Sequence, residues 1–298
     1  MNKIKIEGIF PPLTTPFENG EVALTKFGNN IKKLNPTNLN GYVILGSNGE
    51  SCFLTRDEKL SLIKEAKKQS SEDKIIIAGT GSDSIKDTIS LTNDAAKEGA
   101  DVALILTPSF FKGRMDHEAL VEYFTKVADS VNIPVIIYNV PKFTNISIEA
   151  RTVKELSKHE NITGIKSSST DIAFFGEILN LVNDSFNVLA GTASILYAGL
   201  CLGASGGILA AANILPNECV DVYNYYKAGK LKEALESQNK LLAVNKAITA
   251  TFGVAGLKKA MDWLGYFGGL PRSPLQKLRE SDEKKLRQIL IEENFLPR

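Results

Sequence analysis

Lys166 closes an apolar run, Gly164-Ile165-Lys166, and is followed by three hydroxyls, Ser167-Ser168-Ser169. Lysine is almost never fully buried, so this placement has two readings. In one, the side chain leaves a strand end for solvent. In the other, it points into an apolar interior, where desolvation lowers the pKa of the ammonium and yields a nucleophilic amine. Such an amine attacks a ketone to form a Schiff base, and the protonated imine draws electrons from the adjacent carbon. Spacing alone leaves both readings open. Tyr138-Asn139-Val140-Pro141 places a phenol at the end of another apolar run, either as a proton carrier or as a core tyrosine with a satisfied hydroxyl. Gly46-Ser47-Asn48-Gly49-Glu50 follows a third run. Its amides, with the Ser47 and Asn48 side chains, make either a carboxylate cradle or an ordinary turn. Gly79-Thr80-Gly81 reads as a plain turn.

The elements that must position these groups follow from periodicity. Short apolar runs of strand character occur at Gly8–Leu13, Tyr42–Leu45, Lys74–Ala78, Val102–Leu106, Val135–Tyr138, Ile162–Ile165, Val188–Ala190 and Gly207–Leu209. Helical segments separate them. Thr55 with Glu58 forms a capping box, and Ser84 with Asp87 a weaker version. Ile85, Ile89, Thr92 and Ala96 recur at helical spacing, as do Leu120, Phe124 and Val127 after Asp116. Strands that are apolar nearly throughout belong to sheets covered on both faces, and strict alternation with helices demands parallel strands. Eight such units in residues 1–215 predict a (β/α)8 TIM barrel. An open doubly wound sheet would need a glycine-rich turn after the first strand, where the chain reads Pro11-Pro12-Leu13-Thr14-Thr15-Pro16. Residues 216–298 read as a C-terminal helical appendix. There, Leu231, Leu235, Gln238, Leu242 and Asn245 trace one stripe and a last helix spans Asp282 to Glu292. Trp263, Tyr266 and Phe267, near Gly265, Gly268 and Gly269, are expected to pack the appendix on the barrel.

Composition removes several function classes. Thirty-five Lys and Arg against 34 Asp and Glu leave no charge excess to hold a nucleic-acid backbone or an anionic membrane. The partners implied are small molecules or copies of the chain. Cys52, Cys201 and Cys219 lie far apart, an odd number without metal-ligand spacing, which suggests a reducing cytoplasm and no structural zinc. The start, Met1 to Phe10, alternates Lys and Ile and lacks the order of a cleavable signal. Ser185 to Asn217 carries no charge, and Ile195–Leu215 has the length of a membrane span. However, Gly199, Gly203, Gly206 and Gly207 divide it into a helix, a turn and a short apolar run. His117 and His159 sit in no HExxH or Ser-His-Asp pattern and read as surface residues.

Together the glycine loop, Tyr138-Asn139-Val140-Pro141 and Gly164-Ile165-Lys166 resemble successive signatures of the dihydrodipicolinate synthase and N-acetylneuraminate lyase superfamily, over nearly the whole chain. Lys112-Gly113-Arg114-Met115, Leu189-Ala190-Gly191-Thr192-Ala193 and the segment from Gly256 to Trp263 are most similar to its 4-hydroxy-2-oxoglutarate aldolase branch. The resemblance implies a class I aldolase or lyase that cleaves or condenses a 2-oxo acid, pyruvate with an aldehyde such as glyoxylate. It also implies a homotetramer without metal or organic cofactor. Lys166 is then the Schiff-base lysine, and Tyr138, with Ser47, moves protons. Ser47 and Asn48 bind the 2-oxo acid carboxylate, Ile208 contacts pyruvate through its backbone, and Ser168 meets substrate. Two departures stand out. Pro108-Ser109-Phe110-Phe111 occupies a stretch where the family commonly has relay tyrosines, which keeps a non-catalytic 2-oxo acid-binding paralogue in view. Phe143 stands where dihydrodipicolinate synthases place an arginine, which argues against aspartate semialdehyde and leaves the lysine-pathway synthase as the alternative. Neighbouring Lys142 is a candidate charge there or simply a solvated side chain.

Overall fold

The computed structural model describes residues 4–297, so the first three residues of the Met1–Phe10 start lie outside the described residues. Eight parallel strands pair in sequence order. They are β1 (Gly8–Phe10), β2 (Gly41–Ile44), β3 (Ile75–Gly79), β4 (Val102–Leu106), β5 (Val135–Asn139), β6 (Ile162–Ser167), β7 (Asn187–Ala190) and β8 (Gly206–Ile208). The ring closes because β1 pairs with β8 and runs on into a Pro12–Val43 bridge, with Val43 N donating to Pro11 O at 3.0 Å and Leu13 N to Val43 O at 2.8 Å. This is a TIM barrel, and closure removes the open-sheet alternative. Each predicted strand run overlaps one of the eight, with ends that differ by up to three residues. A small hairpin, Phe17–Glu18 with Glu21–Val22, is an addition that its two-residue strands make invisible to periodicity.

The crossover helices are α1 (Leu24–Leu34), α2 (Arg56–Gln69), α3 (Ile85–Lys97), α4 (His117–Ser130), α5 (Ala150–Leu156), α6 (Ile172–Leu181) and α7 (Leu196–Leu202). Local chemistry sets their starts: Thr55 accepts from Glu58 N in a reciprocal capping box, and Ser84, Asp116 and Asp171 each accept from the residue three positions on. Period-two alternation sorts each strand's side chains into two layers. Ile105, Ile137, Ile165 and Val188 face the helices, while Leu104, Ile136, Tyr138, Leu189 and Ile208 fill the lumen. In the uncharged stretch, α7 stops at Gly203, whose φ of +113° suits glycine, before β8 begins. Among the described residues no helix is long and apolar enough to cross a membrane.

Helices α8 (Pro216–Lys227), α9 (Leu231–Lys246), α10 (Gly253–Trp263) and α11 (Glu280–Glu292) complete the chain, the last starting two residues before the expected Asp282. The stripe expected on α9 needs correction. Gln238 and Asn245 are buried, but Leu231, Leu235 and Leu242 are exposed, and the buried face runs through Ala234, Ser237, Leu241 and Val244. Polar anchors rotate the helix: Gln238 accepts from Tyr197 N at 3.0 Å and donates to Ala193 O at 2.7 Å. The same face also buries Ala234, Leu241 and Val244, so the polar anchors and an apolar stripe fix the rotation together. The aromatic and glycine cluster does pack on the barrel, since Asn30 of α1 exchanges two 2.8 Å hydrogen bonds with the Phe267 backbone.

Arg272 straps the appendix to α2 by a fork on Glu58, with NH1 and NH2 at 2.8 and 2.6 Å from its two oxygens. That hydrogen bonding holds the Glu58 carboxyl at about 2, below its ordinary 4.5. A depressed folded-state pKa stabilises the fold above the unfolded pKa and stops doing so as pH falls through the folded one. Melting temperature should therefore drop as pH is lowered from 4.5 toward about 2, and Glu58→Gln should remove part of that drop. Thermal scans across the window check this, and an unchanged pH dependence in the variant counts against the strap.

Candidate active site

Ile165 packs outward against the helices, so the next residue on β6 turns inward. Lys166 lies between Tyr138 of β5 and Leu189 of β7 in the strand register, at the carboxyl end of the lumen. It is 3% exposed and Tyr138 is 6% exposed. The Lys166 side chain therefore lies inside the barrel rather than in solvent. The Nζ atom lies 4.0 Å from the centroid of the Tyr138 ring, and the Tyr138 hydroxyl lies 3.3 Å from Ser47 Oγ. Burial pushes the phenol's pKa up, but the neighbouring Lys166 charge and hydrogen bonding with Ser47, Lys166 and Ser168 outweigh it, holding the phenol below its ordinary value. Ser47, Tyr138, Lys166 and Ser168 thus converge on one point. Asn48 is half-buried beside Ser47 in the same turn, and Ile208 is buried in the lumen, paired with Phe10.

The turn that carries Ser47 and Asn48 is built from an unusual backbone. Leu45 and Glu50, at its two ends, have φ of +63° and +54°, a left-handed conformation that costs non-glycine residues about 1–3 kcal/mol each. Gly79 lets the turn approach β3, because a Cβ there would sit 2.4 Å from Leu45 O. Thr15 Oγ1 donates to Gly49 O at 2.7 Å. The strongest restraint went unread in the sequence: the Glu50 carboxylate accepts from Lys258 Nζ at 2.5 Å and from Arg272 N at 2.7 Å. Lys258 comes from α10, where it lies among buried Leu257, Ala260 and Met261. A lysine inside that apolar helical stripe is the signal that pointed to a buried partner.

The opposite rim is held by polar side chains. Asn139 donates to Ser167 Oγ at 3.3 Å, its carbonyl oxygen accepts from Ser168 N at 2.9 Å, and Ser167 O accepts from Gly191 N at 2.7 Å. Asn245 Nδ2 donates to Thr192 Oγ1 at 3.0 Å and Ser194 Oγ at 2.8 Å, fastening the loop after β7 to α9. Lys142 Nζ donates to Thr249 O at 3.0 Å and lies 5.7 Å from the Phe143 ring. Phe143 is 61% exposed, and Phe110 and Phe111, at 78% and 70%, meet edge to face in the loop after β4. His117, at the start of α4, and His159, in the turn before β6, are bonded to Thr152 and Asp129 respectively. Among the described residues no three His, Cys, Asp or Glu side chains gather as a metal site.

Residues 5–293 match the Dihydrodipicolinate synthetase family. A 4-hydroxy-tetrahydrodipicolinate synthase of Methanococcus aeolicus is 35% identical over 292 residues, which is 98% of this chain and 100% of the relative. Among solved structures, dihydrodipicolinate synthase from Aquifex aeolicus aligns with a TM-score of 0.93 at 32% identity, covering 97% of this chain and 99% of that one. A prophage protein of the same family from E. coli K12, solved in complex with pyruvate, aligns at 0.92 with 27% identity over 98% and 99% of the two chains. The 4-hydroxy-2-oxoglutarate aldolase branch expected from three short segments is thereby corrected toward the synthase, since similarity spread over 292 residues outweighs local likeness. The chain belongs to the dihydrodipicolinate synthetase family, whose members are class I lyases and aldolases.

Proposed function

We propose that this protein joins pyruvate to an aldehyde through a Schiff base on Lys166, and that the aldehyde is aspartate semialdehyde, as the names of its relatives suggest. The observation that carries the reading is the enclosed amine of Lys166, 4.0 Å from the ring of a phenol that Ser47 also touches. The amine attacks C2 of pyruvate, and the carbinolamine loses water to give the iminium. Tyr138 supplies the proton that leaves with that water and is recharged along Ser47. Electron withdrawal by the iminium acidifies C3, whose proton passes to water. The resulting enamine carbon attacks the aldehyde carbon, whose oxygen takes a proton from Tyr138, and hydrolysis of the re-formed iminium releases the product and returns Lys166 as the free amine. Ser47, Asn48 and the turn amides hold the pyruvate carboxylate, with Ile208 and Ser168 lining the bound acid. Fixing the ketone against the amine in this way removes several kcal/mol of barrier.

Phe143 bears on the choice of aldehyde. A carboxylate next to it would be penalised in a dry pocket, but at 61% exposure the ring borders water, and the carboxylate keeps hydration there. Lys142 adds a cation beside the ring. The second reading, a smaller partner such as glyoxylate in a 4-hydroxy-2-oxoglutarate aldolase reaction, is favoured by the loss of a guanidinium fork at Phe143. A barrel that binds a 2-oxo acid without turnover is favoured only by the missing hydroxyls of Phe110 and Phe111. We place the enzyme in the cytoplasm as a homotetramer, with exposed Phe110, Phe111 and the α9 leucines as apolar surface for subunit contact.

Borohydride with pyruvate should add one covalent adduct, lost in Lys166→Ala and equally in Lys166→Arg, since a guanidinium stays charged and does not attack. Intact-mass spectra showing an adduct that survives Lys166→Ala would defeat the assignment. Tyr138→Phe should slow turnover by roughly 10²-fold while trapping remains detectable. Rates within a factor of about two of the parent would mean that water or Ser47 delivers the proton. Steady-state assays should give a higher kcat/KM with aspartate semialdehyde than with glyoxylate, and Phe143→Arg should raise it further. The reverse order in the parent moves the assignment to the aldolase reading.

A further inference from the structure

Glu50 stands at the end of the carboxylate-binding turn, and its amide donates to Ser47 O at 3.1 Å, so its position fixes that of Ser47 directly. Its left-handed backbone turns the carboxylate inward, away from substrate, to side-chain exposures of 1% for Glu50 and 0% for Lys258. Lys258 Nζ meets it at 2.5 Å, donates also to Leu270 O at 2.9 Å, and lies 4.5 Å from the centroid of the Phe17 ring. The second carboxylate oxygen accepts from the Arg272 amide at 2.7 Å. Two segments of the appendix, α10 through the Lys258 side chain and the loop after it through the Arg272 amide, therefore converge on one side chain of a barrel loop, 208 and 222 residues away in sequence. A buried charge pair of this kind tolerates little displacement, because either ion left alone has neither water nor counterion.

We propose that the Glu50–Lys258 pair is a positioning device for the 2-oxo acid site: it holds Ser47 and Asn48 in the strained turn that receives the substrate carboxylate, and so sets affinity for that acid. The inference rests on the Schiff-base reading of Lys166. Lys166 and Tyr138 are carried by β6 and β5, outside the turn, so loss of the pair loosens carboxylate binding and leaves the amine reactive. Glu50 and Lys258 touch no reacting atom in this scheme and act through Ser47 and Asn48.

The test measures the pyruvate concentration giving half-maximal borohydride adduct, which is independent of the aldehyde. In Glu50→Gln combined with Lys258→Met, both charges go, the volumes are kept, and Gln retains an acceptor for the Arg272 amide. Half-saturation should rise about tenfold or more, with adduct still forming at saturating pyruvate and a melting temperature near the parent's. A purely structural role would leave half-saturation within about twofold of the parent in the folded variant, and that result overturns the proposal. Should the double variant not fold, Glu50→Asp keeps the charge but is too short to span Lys258 and the Arg272 amide together. A rise of about threefold or more supports the proposal there, and a smaller change overturns it. A parent that forms no adduct overturns the Schiff-base reading and this inference with it, whereas a trapped parent with unchanged variants overturns this inference alone.

Discussion

Everything at the site depends on a parallel strand alternating its side chains between two faces inside a closed ring. Once Ile165 is committed to the helix layer, Lys166 has the lumen as its only direction. The ring places Tyr138 and Leu189 in the same register on the flanking strands, so the amine meets a phenol on one side and an aliphatic wall on the other. Slipping β6 by one residue would exchange Lys166 with Ile165 and take the amine out of the lumen. The outer layer resists that slip, because Ile162 and Ile165 both pack in it, a register shift between Ile162 and Gly164 bringing them to one face.

The carboxyl ends of barrel strands carry loops, and loops are the least restrained part of such a fold. Here the restraint comes from the C-terminal segment. Lys258 and the Arg272 amide hold Glu50, the Arg272 guanidinium holds Glu58 at the start of α2, and Asn245 holds the loop after β7. The appendix thus works as a brace across the mouth of the barrel rather than as a separate unit. Its cost is visible in the chemistry of the brace: breaking one partner of a buried ion pair typically destabilises a protein by about 3–5 kcal/mol. The pair meets the turn at Glu50, which with Leu45 is one of its two left-handed residues.

Three phenylalanines, in two loops, define how this site departs from the pattern its residues otherwise resemble. Phe110 and Phe111 bring no hydroxyl, so the hydroxyls beside Lys166 are those of Tyr138, Ser47 and Ser168. Phe143 removes a cation from the rim but does not dry it, because the ring faces water. Residue type alone made Phe143 look like a barrier to a charged aldehyde. Its exposure reduces that barrier to the absence of an attraction.

By itself the sequence determined the barrel, since its strands coincide with short, largely apolar runs and four of the crossover helices start at a side-chain cap, as at Thr55 and Glu58. The uncharged stretch near Ile195 was legible as helix, turn and strand for the same reason, its glycines acting on their immediate neighbours. The reactive segments around Ser47, Tyr138 and Lys166 were legible as chemistry, though whether Lys166 faced solvent or lumen was not. Only the tertiary structure decided that direction, the partnership of Glu50 with Lys258, the rotation of α9 about Gln238 and Asn245, and the exposure of Phe143. Each of these is set by a group far away along the chain that meets it only after the ring has closed. A local window records propensity and period, but the partner of a buried charge and the face a helix finally covers are properties of contacts between distant segments.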